Sequence, residues 1–568
     1  MKWSADCSRL AFLTLNDTNV LPYKYEEYFP SEPYPKPQQI RIPTPGTPNP
    51  TVTVNIFSYA SNLVATVDIS TGLAPSTSDP LLNDVYVYDL VWADGNRLAT
   101  VRVPRLQNRK DVLLTDATDS TLTFYSSKII KTDQVDTWIQ HNANVIKFIS
   151  TQQYVDITIH PESANKHYHL ALYDIKDPNP KFLTSGEWDV TAILGSHENQ
   201  IFIEAAQSDS VNREILSVNI DASSTKQLSD PNKRGVYSAS LSSSGTFMFV
   251  NYMGPELPSY SLVNLQDESS NVLLNNEELK QTIQDGLQMP SSHIKSINKP
   301  DGTKLNALFV YPPHFSDSAD VQYPVMMRVY GGPGNQLVLN SYASMHDSLS
   351  LYWASLGYIV VTVDGRGTGG RGHSFMTCTY KELGIREAQD QIIAAKQLKL
   401  MHFVDGNRIG IWGWSYGGYM TLMSLTSLDN DKVFKLGMAV APVTDWKYYD
   451  SAYTERYMQW PSMNPEGYGN SSVVNRVRRE FNSPLLPSKI DSVTGVATQS
   501  YSHLLLVHGT GDDNVHPLNS FNLMTELQNA QVQFSTMFYP NKDHSIAGDA
   551  TRRQLYRLLT SKVQEKLV

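Results

Sequence analysis

The chain has 568 residues, 41% of them apolar and 18% charged, and a formal net charge of −10. That length exceeds what one hydrophobic core organises, so two or three domains are expected, and the acidic balance excludes a nucleic-acid-binding face. No window holds roughly 18 uncharged apolar residues, so no segment reads as a membrane span; the two cysteines, Cys7 and Cys378, exclude a disulfide scaffold and read as free thiols.

The chain opens MKWSADCSRLAFLTLNDT, a Met followed at once by a strand pattern, with no basic leader and no signal-type apolar run. Asn16-Asp17-Thr18 and, much later, Asn470-Ser471-Ser472 are glycosylation sequons, marking Asn16 and Asn470 as candidate sites. A unit of strand, polar turn and strand recurs: WSADCSRLAFLTL from Trp3, VWADGNRLATVRV from Val91 and SASLSSSGTFMFVNY from Ser238, with looser versions near Val145 and Asp189. Recurrence at roughly 50 residues predicts propeller blades in preference to a sandwich. The stretch NNEELKQTIQDGLQMPSSH predicts a linker helix that ends at a Pro-Ser-Ser turn.

Beyond about residue 285 the period changes. VMMRVY (325–330), YIVVTVD (358–364), IGIW (409–412), LGMAVAPV (436–443), LLLVHG (504–509) and FSTMFYP (534–540) read as strands. Helical stretches such as IREAQDQIIAAKQLKLM and PLNSFNLMTELQNA lie between them. Near-continuous apolar strands with crossover helices predict a parallel sheet covered on both faces. The expected organisation is an all-β domain over 1–285 and an α/β domain over 286–568.

After RIGIW comes Gly413-Trp414-Ser415-Tyr416-Gly417-Gly418, leading into a helical YMTLMSL. This is G-x-S-x-G between a strand and a helix, the context in which such a turn lifts a serine hydroxyl clear of an α/β-hydrolase sheet. Ser415 is therefore the candidate nucleophile. An acid and then a histidine should follow it along the chain. LLLVHG runs into Thr510-Gly511-Asp512-Asp513-Asn514-Val515-His516, and FSTMFYP into Asn541-Lys542-Asp543-His544-Ser545. His544 would take the serine proton and return it to the leaving amine, with the acid fixing its tautomer. Position alone leaves Asp512 and Asp513 both open. His508 and His516 are alternative bases, but each sits too close to the acid loop to follow it on a later strand.

The loop VYGGPGN, running from Tyr330 to Asn335 beyond its first Val, suits an oxyanion loop, and the Tyr416 N–H is the second natural donor. No second ligand set accompanies the Asp512–His516 cluster, so no metal is expected. DGRGTGGRG (364–372) contains G-x-G-x-x-G after a strand, but no helix is expected behind it and Arg366 and Arg371 interrupt it. It reads as a sharp loop and not as a dinucleotide site, and no cofactor is expected.

Together, IWGWSYGGYM, AVAPVTDWKYYDSAYTERYM, HGTGDDNVHP, DHSIA, YGGPGNQ and DGRGTGG closely resemble the dipeptidyl peptidase IV branch of the prolyl oligopeptidase family. The resemblance covers nearly the whole chain, is strongest from about Pro290 onward, and leans towards the fungal dipeptidyl aminopeptidases. It implies a β-propeller capping an α/β-hydrolase catalytic domain, with substrate held between them. It places the acid on Asp512, makes the Tyr330 hydroxyl an oxyanion donor beside the Tyr416 N–H, and sets Asn514 against a substrate carbonyl. It implies a proline pocket of Val443, Trp446, Tyr449, Tyr453 and Val515. Proline offers no N–H and a fixed φ, so a flat aromatic box is the natural way to hold its ring.

The activity so implied is that of a serine exopeptidase releasing X-Pro or X-Ala dipeptides from peptides through an acyl-enzyme on Ser415. A post-proline endopeptidase or acyl-peptide hydrolase is the alternative enzyme, and a catalytically silent binding scaffold the alternative class. The family's amine-gripping glutamate pair precedes a segment resembling KWSADCSRLAFLTLNDT, where this sequence begins. The expectation is therefore an N-terminally truncated chain with a partial propeller, roughly three blades short, without the family's upstream arginine or membrane anchor. Glu26-Glu27 is expected to be an exposed loop that does not inherit the pair's role. Full-length relatives are expected to be membrane-anchored with a lumenal or extracellular catalytic domain, or secreted. This chain, with no targeting segment, would stay cytosolic unless something upstream is omitted. A homodimer is the partner state the resemblance allows.

Overall fold

The structure is a computed structural model, and it describes residues 1–73, 84–140, 146–286, 288–318, 320–479, 485 and 501–567. The N-terminal half forms five sheets of four or five strands, antiparallel except for Phe124–Tyr125, which joins the first sheet parallel to Leu63–Val67, packed face to face in succession as the blades of a propeller. Each recurring sequence unit is the first hairpin of one sheet. These hairpins pair Lys2–Trp3 with Arg9–Asn16, Val85–Trp92 with Arg97–Pro104, and Ile146–Phe148 with Gln153–Ile159. Val190–His197 pairs with Gln200–Ala205, and Tyr237–Leu241 with Phe247–Tyr252. Val145 itself lies outside the described residues.

Alternation along each strand sends one set of side chains towards each neighbouring sheet. Val54 and Ile56 meet Leu90 and Leu98 of the second sheet. Val101 and Val112 meet Tyr154 and Tyr173 of the third. Ile157 and Leu170 meet Ile203 and Leu216 of the fourth, and Phe202 and Ile215 meet Tyr237 and Met248 of the fifth.

An additional hairpin, Pro22–Glu27 against Lys36–Arg41, projects from the first sheet. Glu26 and Glu27 thus lie on a strand, a correction to the expected loop. Its period of two is visible in the burial, with Tyr23, Tyr25 and Glu27 half-buried and Lys24 and Glu26 exposed. After the helix Glu277–Gly286, Ser291 and Ser292 belong to a strand and not to the expected turn, with Pro290 just ahead of its first residue.

The C-terminal half is built on one eight-stranded sheet. Its strands are β1 (Ser291–Asn298), β2 (Lys304–Tyr311), β3 (Tyr323–Arg328), β4 (Ile359–Asp364), β5 (Val404–Trp414), β6 (Leu436–Val440), β7 (His503–Gly509) and β8 (Phe534–Tyr539). The spatial order is β1-β2-β4-β3-β5-β6-β7-β8. β1 and β2 are antiparallel to their neighbours and the rest run parallel. This is an α/β-hydrolase domain preceded by a propeller. Both faces are covered. Val325, Val361 and Ile411 point towards the helices Ile385–Lys399 and Tyr416–Leu425. Met326, Val360 and Met438 point towards Ser348–Ser355 and Asp549–Lys566.

The loop after β4 leads directly into a short helix, His373–Thr377, which corrects the expectation that none follows DGRGTGGRG. Its role is to hold the neighbouring loop. Asp364 accepts hydrogen bonds from the N–H groups of Leu337 and Val338 at 3.0 and 2.8 Å, and Gly334 N–H donates to Gly367 O at 2.9 Å.

A fully buried ion pair crosses between the halves. Arg105, at the end of a second-sheet strand, donates to both carboxylate oxygens of Glu455 at 2.6 and 2.9 Å. Glu455 lies on the helix Ser451–Met458, beside candidate pocket residue Tyr453. Arg456 donates to Gln107 and Tyr88 at 2.6 and 3.2 Å, and Gln107 donates to Ala452 O at 2.6 Å. The propeller therefore clamps the helix that carries candidate pocket residue Tyr453. Glu455→Ala would leave the Arg105 charge buried without its main partner, and is expected to destabilise by about 3–5 kcal/mol. Thermal unfolding of the variant against the parent checks this; a loss under about 1 kcal/mol, the worth of an exposed pair, would contradict it.

Candidate active site

β5 ends at Trp414, and Ser415 occupies a strained conformation, φ 60° and ψ −121°, before the helix Tyr416–Leu425 begins. Few non-glycine residues sit there, and the cost is on the order of 1–3 kcal/mol. The turn closes so tightly that a Cβ on Gly417 would lie 2.1 Å from Val329 O, which only glycine avoids. Ser415 N–H donates to Val440 O at 2.9 Å, tying the elbow to the end of β6.

The candidate acid and base come from the ends of β7 and β8, where open α/β sheets collect their functional groups. Asp512 is buried, and its Oδ2 lies 2.8 Å from His544 Nδ1. Its Oδ1 accepts from the N–H groups of Asn514 and Val515 at 3.0 and 2.9 Å. Burial opposes ionisation of this carboxyl, but hydrogen bonds from His508 and His544 outweigh it and hold the group below the usual carboxylate range. Asp513 is exposed, so the geometry favours Asp512. Trp414 Nε1–H donates to His544 O at 3.0 Å, which brings the histidine beside the strand that leads into Ser415. No hydrogen bond joins Ser415 Oγ to the imidazole among the described residues. Such bonds are commonly long before substrate binds and tighten in the complex.

The two alternative bases are engaged elsewhere. His508 is fully buried, with Nε2 at 2.7 Å from Val515 O and 3.2 Å from Asp512 Oδ2, and Nδ1 at 2.7 Å from Ser520 Oγ. Two acceptors at Nε2 assign its proton there, so the Ser520 hydroxyl donates to Nδ1. His508 thus braces the acid loop. His516 stacks on Tyr23 of the propeller hairpin, with centroids 3.6 Å apart, and burial pushes it down to about 4. Tyr28 of the same hairpin exchanges hydrogen bonds with Asn541 at 2.8 and 2.6 Å.

The other candidates line one aromatic recess. Trp446 stacks on Tyr453 with centroids 5.9 Å apart and meets Tyr449 edge-on at 6.0 Å, and Tyr449 meets Tyr453 edge-on at 5.3 Å. Val443 and Val515 are buried. Asp450 caps the helix start by accepting from Tyr453 N–H at 2.8 Å, which fixes that wall. Tyr449 O–H donates to Asn514 Oδ1 at 2.7 Å, leaving the amide NH2 as Asn514's donor. The Tyr416 ring lies 5.5 Å from Trp446 and 6.0 Å from Tyr330. Tyr416 is the first residue of its helix, so its N–H has no intrahelical acceptor. The Tyr330 hydroxyl makes no hydrogen bond among the described residues, and burial, then the neighbouring Tyr457, raises its phenol above the ordinary range.

Sequence reasoning missed Tyr23, the bracing role of His508 and the carboxylate of Glu387, which accepts from Tyr416 O–H at 2.7 Å. Tyr23 carries no motif. Glu387 reads as one more polar residue in a helical stretch. Away from the recess, Asn16 and Asn470 are both exposed, while Ser472 of the second sequon is buried and donates to Asp445 at 2.8 Å. Cys7 is exposed, Cys378 half-buried, and both are free thiols. Among the described residues, no helix is long and apolar enough to cross a membrane.

Residues 345–567 match the model of the prolyl oligopeptidase family, and residues 1–259 match that of the dipeptidyl peptidase IV N-terminal region. The chain is 34% identical over 574 residues to a probable dipeptidyl-aminopeptidase B of Arthroderma gypseum, covering 96% of this chain and 58% of that protein. It is 33% identical over 586 residues to the corresponding protein of Neurospora crassa, covering 98% and 59%. The chain thus spans less than two thirds of the length of these curated relatives. The crystal structure of Porphyromonas gingivalis dipeptidyl peptidase 4 superimposes with a TM-score of 0.86 at 30% identity, covering 100% of this chain and 74% of that one. A putative dipeptidyl aminopeptidase IV from Bacteroides ovatus gives 0.84 at 26%, covering 100% and 76%. The chain belongs to the prolyl oligopeptidase family, in its dipeptidyl peptidase IV branch.

Proposed function

We propose that this protein is a serine exopeptidase that releases X-Pro and X-Ala dipeptides from the amino ends of peptides. The observation that carries the reading is the Asp512–His544 pair, held through Trp414 beside the strained Ser415, next to the aromatic recess of Trp446, Tyr449 and Tyr453.

Ser415 Oγ attacks the carbonyl that follows proline while His544 Nε2 takes its proton. Asp512 holds the imidazole with its Nδ1 proton inward, and stabilises the imidazolium that forms. The oxyanion is met by the Tyr416 N–H and the Tyr330 hydroxyl, one from the start of a helix and one from the loop after β3. His544 then protonates the leaving amine, and water cleaves the acyl-enzyme by the same path. Val443, Trp446, Tyr449, Tyr453 and Val515 hold the proline ring, and Asn514 donates to the carbonyl before it. The names of the matched relatives support the exopeptidase reading. The domains divide at 285/286, Asn16 and Asn470 are the glycosylation sites, and the protein pairs with a second copy of itself.

Initial rates on glycyl-prolyl-p-nitroanilide and on its N-blocked analogue test the reading. Cleavage of the free substrate in preference to the blocked one is the result expected of an exopeptidase. Equal cleavage would make the protein a post-proline endopeptidase, and no cleavage of either by folded protein would overturn the peptidase reading.

A further inference from the structure

Glu387 lies on the third residue of the helix Ile385–Lys399, wholly buried beneath the active-site turn. Its Oε1 accepts two hydrogen bonds, from Tyr416 O–H at 2.7 Å and from Gly384 N–H at 3.0 Å, and its Oε2 has no partner among the described residues. Burying a carboxyl in this way is costly unless the surroundings compensate it, yet among the described residues no cation pairs with it. A structural ion pair is therefore not its purpose, and its contact leads directly to the residue after Ser415.

We propose that Glu387 is a positioning residue for the oxyanion site: it anchors the phenol of Tyr416 and thereby fixes the backbone N–H of that residue. This rests on the reading of Ser415 as the nucleophile given above. The Tyr416 ring is wedged against Trp446 and Tyr419, at 5.5 and 5.4 Å, so its hydroxyl is the one polar handle by which its rotation is set. The tether enters the helix at its first residue, where no intrahelical bond fixes the N–H. An oxyanion donor is worth a large rate factor only when already aimed at the developing charge. Burial pushes the Glu387 carboxyl up to about 7, with Asp390 one turn along adding to the shift. Either protonation state accepts from the phenol through Oε1, leaving Oε2 for a proton. Tyr419, also at the recess, is bound by its own hydroxyl to Leu383 O and Ser471 O at 2.7 and 2.8 Å, so the pocket floor is anchored from the same loop.

The test compares Glu387→Ala, Glu387→Gln, Tyr416→Phe and the Glu387→Ala/Tyr416→Phe double variant in the full chain. Two reactions are followed. One is hydrolysis of glycyl-prolyl-p-nitroanilide. The other is inactivation by diisopropyl phosphorofluoridate, in which a Ser415 Oγ–P bond forms, the P–F bond breaks, fluoride leaves and His544 takes the proton. The second uses nucleophile and oxyanion site without the proline pocket. Glu387→Ala and Tyr416→Phe are each expected to slow both reactions by about 10- to 100-fold, with KM changed less than threefold. Glu387→Gln, which still accepts from the phenol, should stay within about threefold of the parent, and the double variant should be no slower than the worse single one, because the two act as one unit. A folded Glu387→Ala protein at parental rates, a loss confined to KM, or additive losses would overturn the proposal. If Glu387→Ala does not fold, as judged by circular dichroism, Tyr416→Phe decides by the same criteria. A parent that reacts with the phosphorofluoridate but not the anilide loses the dipeptidyl reading, while the Glu387 role is still decided by the phosphorofluoridate. A parent unreactive at Ser415 with both would overturn the two together.

Discussion

Replacing Ser415 with Ala is expected to lower kcat on glycyl-prolyl-p-nitroanilide by roughly a million-fold, with KM nearly unchanged. On the proposed reading the aromatic cluster of Trp446, Tyr449 and Tyr453 holds the proline ring without help from the hydroxyl, so ground-state affinity is expected to survive. What disappears is the covalent path, leaving only the oxyanion donors and substrate placement. His544→Ala should cost about as much, and the double variant little more, since nucleophile and base act as one unit. Steady-state kinetics on the three variants checks this. Equal kcat in parent and Ser415→Ala would show that another group does the chemistry.

The second large effect is at the acid. Asp512→Asn is expected to reduce kcat by about ten thousand-fold without unfolding the domain. Asp512 Oδ2 accepts from both His544 and His508. The backbone N–H groups of Asn514 and Val515 require an oxygen at the Oδ1 position, so an amide must put its NH2 where Oδ2 stood, facing both imidazoles; against His544 that forces the proton onto Nε2, which then cannot receive the serine's. The neighbouring Asp513→Asn, altering an exposed carboxylate outside this network, should change kcat less than about threefold. If the two substitutions behave alike, the assignment of the acid is wrong.

Much of this arrangement is legible before any coordinates. The strand–turn–strand unit at Trp3, Val91 and Ser238 marks the opening hairpins of three sheets because polar turns between alternating strands repeat visibly. The parallel strands are equally plain, since both faces of β4 and β6 are buried and their sequences are nearly all apolar. β1 and β2 escaped that reading. SSHIKSIN mixes polar residues along an edge strand with one face only partly covered, so no apolar run announces it. The hairpin Pro22–Glu27 was hidden for a related reason, because its tyrosines alternate with charges and its packing partner lies in the other half of the chain.

Within the recess, Ser415 and His544 follow from motif and chain order alone, whereas Asp512 over Asp513 needed either the family resemblance or the observed bond to His544. Residues that act through others leave no such trace. Glu387, His508 and the Arg105–Glu455 pair are ordinary helix, strand and loop letters, and their roles arise only when segments distant in sequence meet.

If Ser415 is the nucleophile of a proline-directed site, a phosphorus reagent shaped like the substrate should find it and no other residue. The most direct measurement is peptide mapping by mass spectrometry after treating the protein with the diphenyl phosphonate analogue of glycyl-proline, whose phosphorus reacts with an activated serine and releases phenol. One adduct is expected, on the peptide that contains Ser415, absent from Ser415→Ala and suppressed by excess glycyl-prolyl substrate. An adduct on another residue, or none from folded protein, would contradict it.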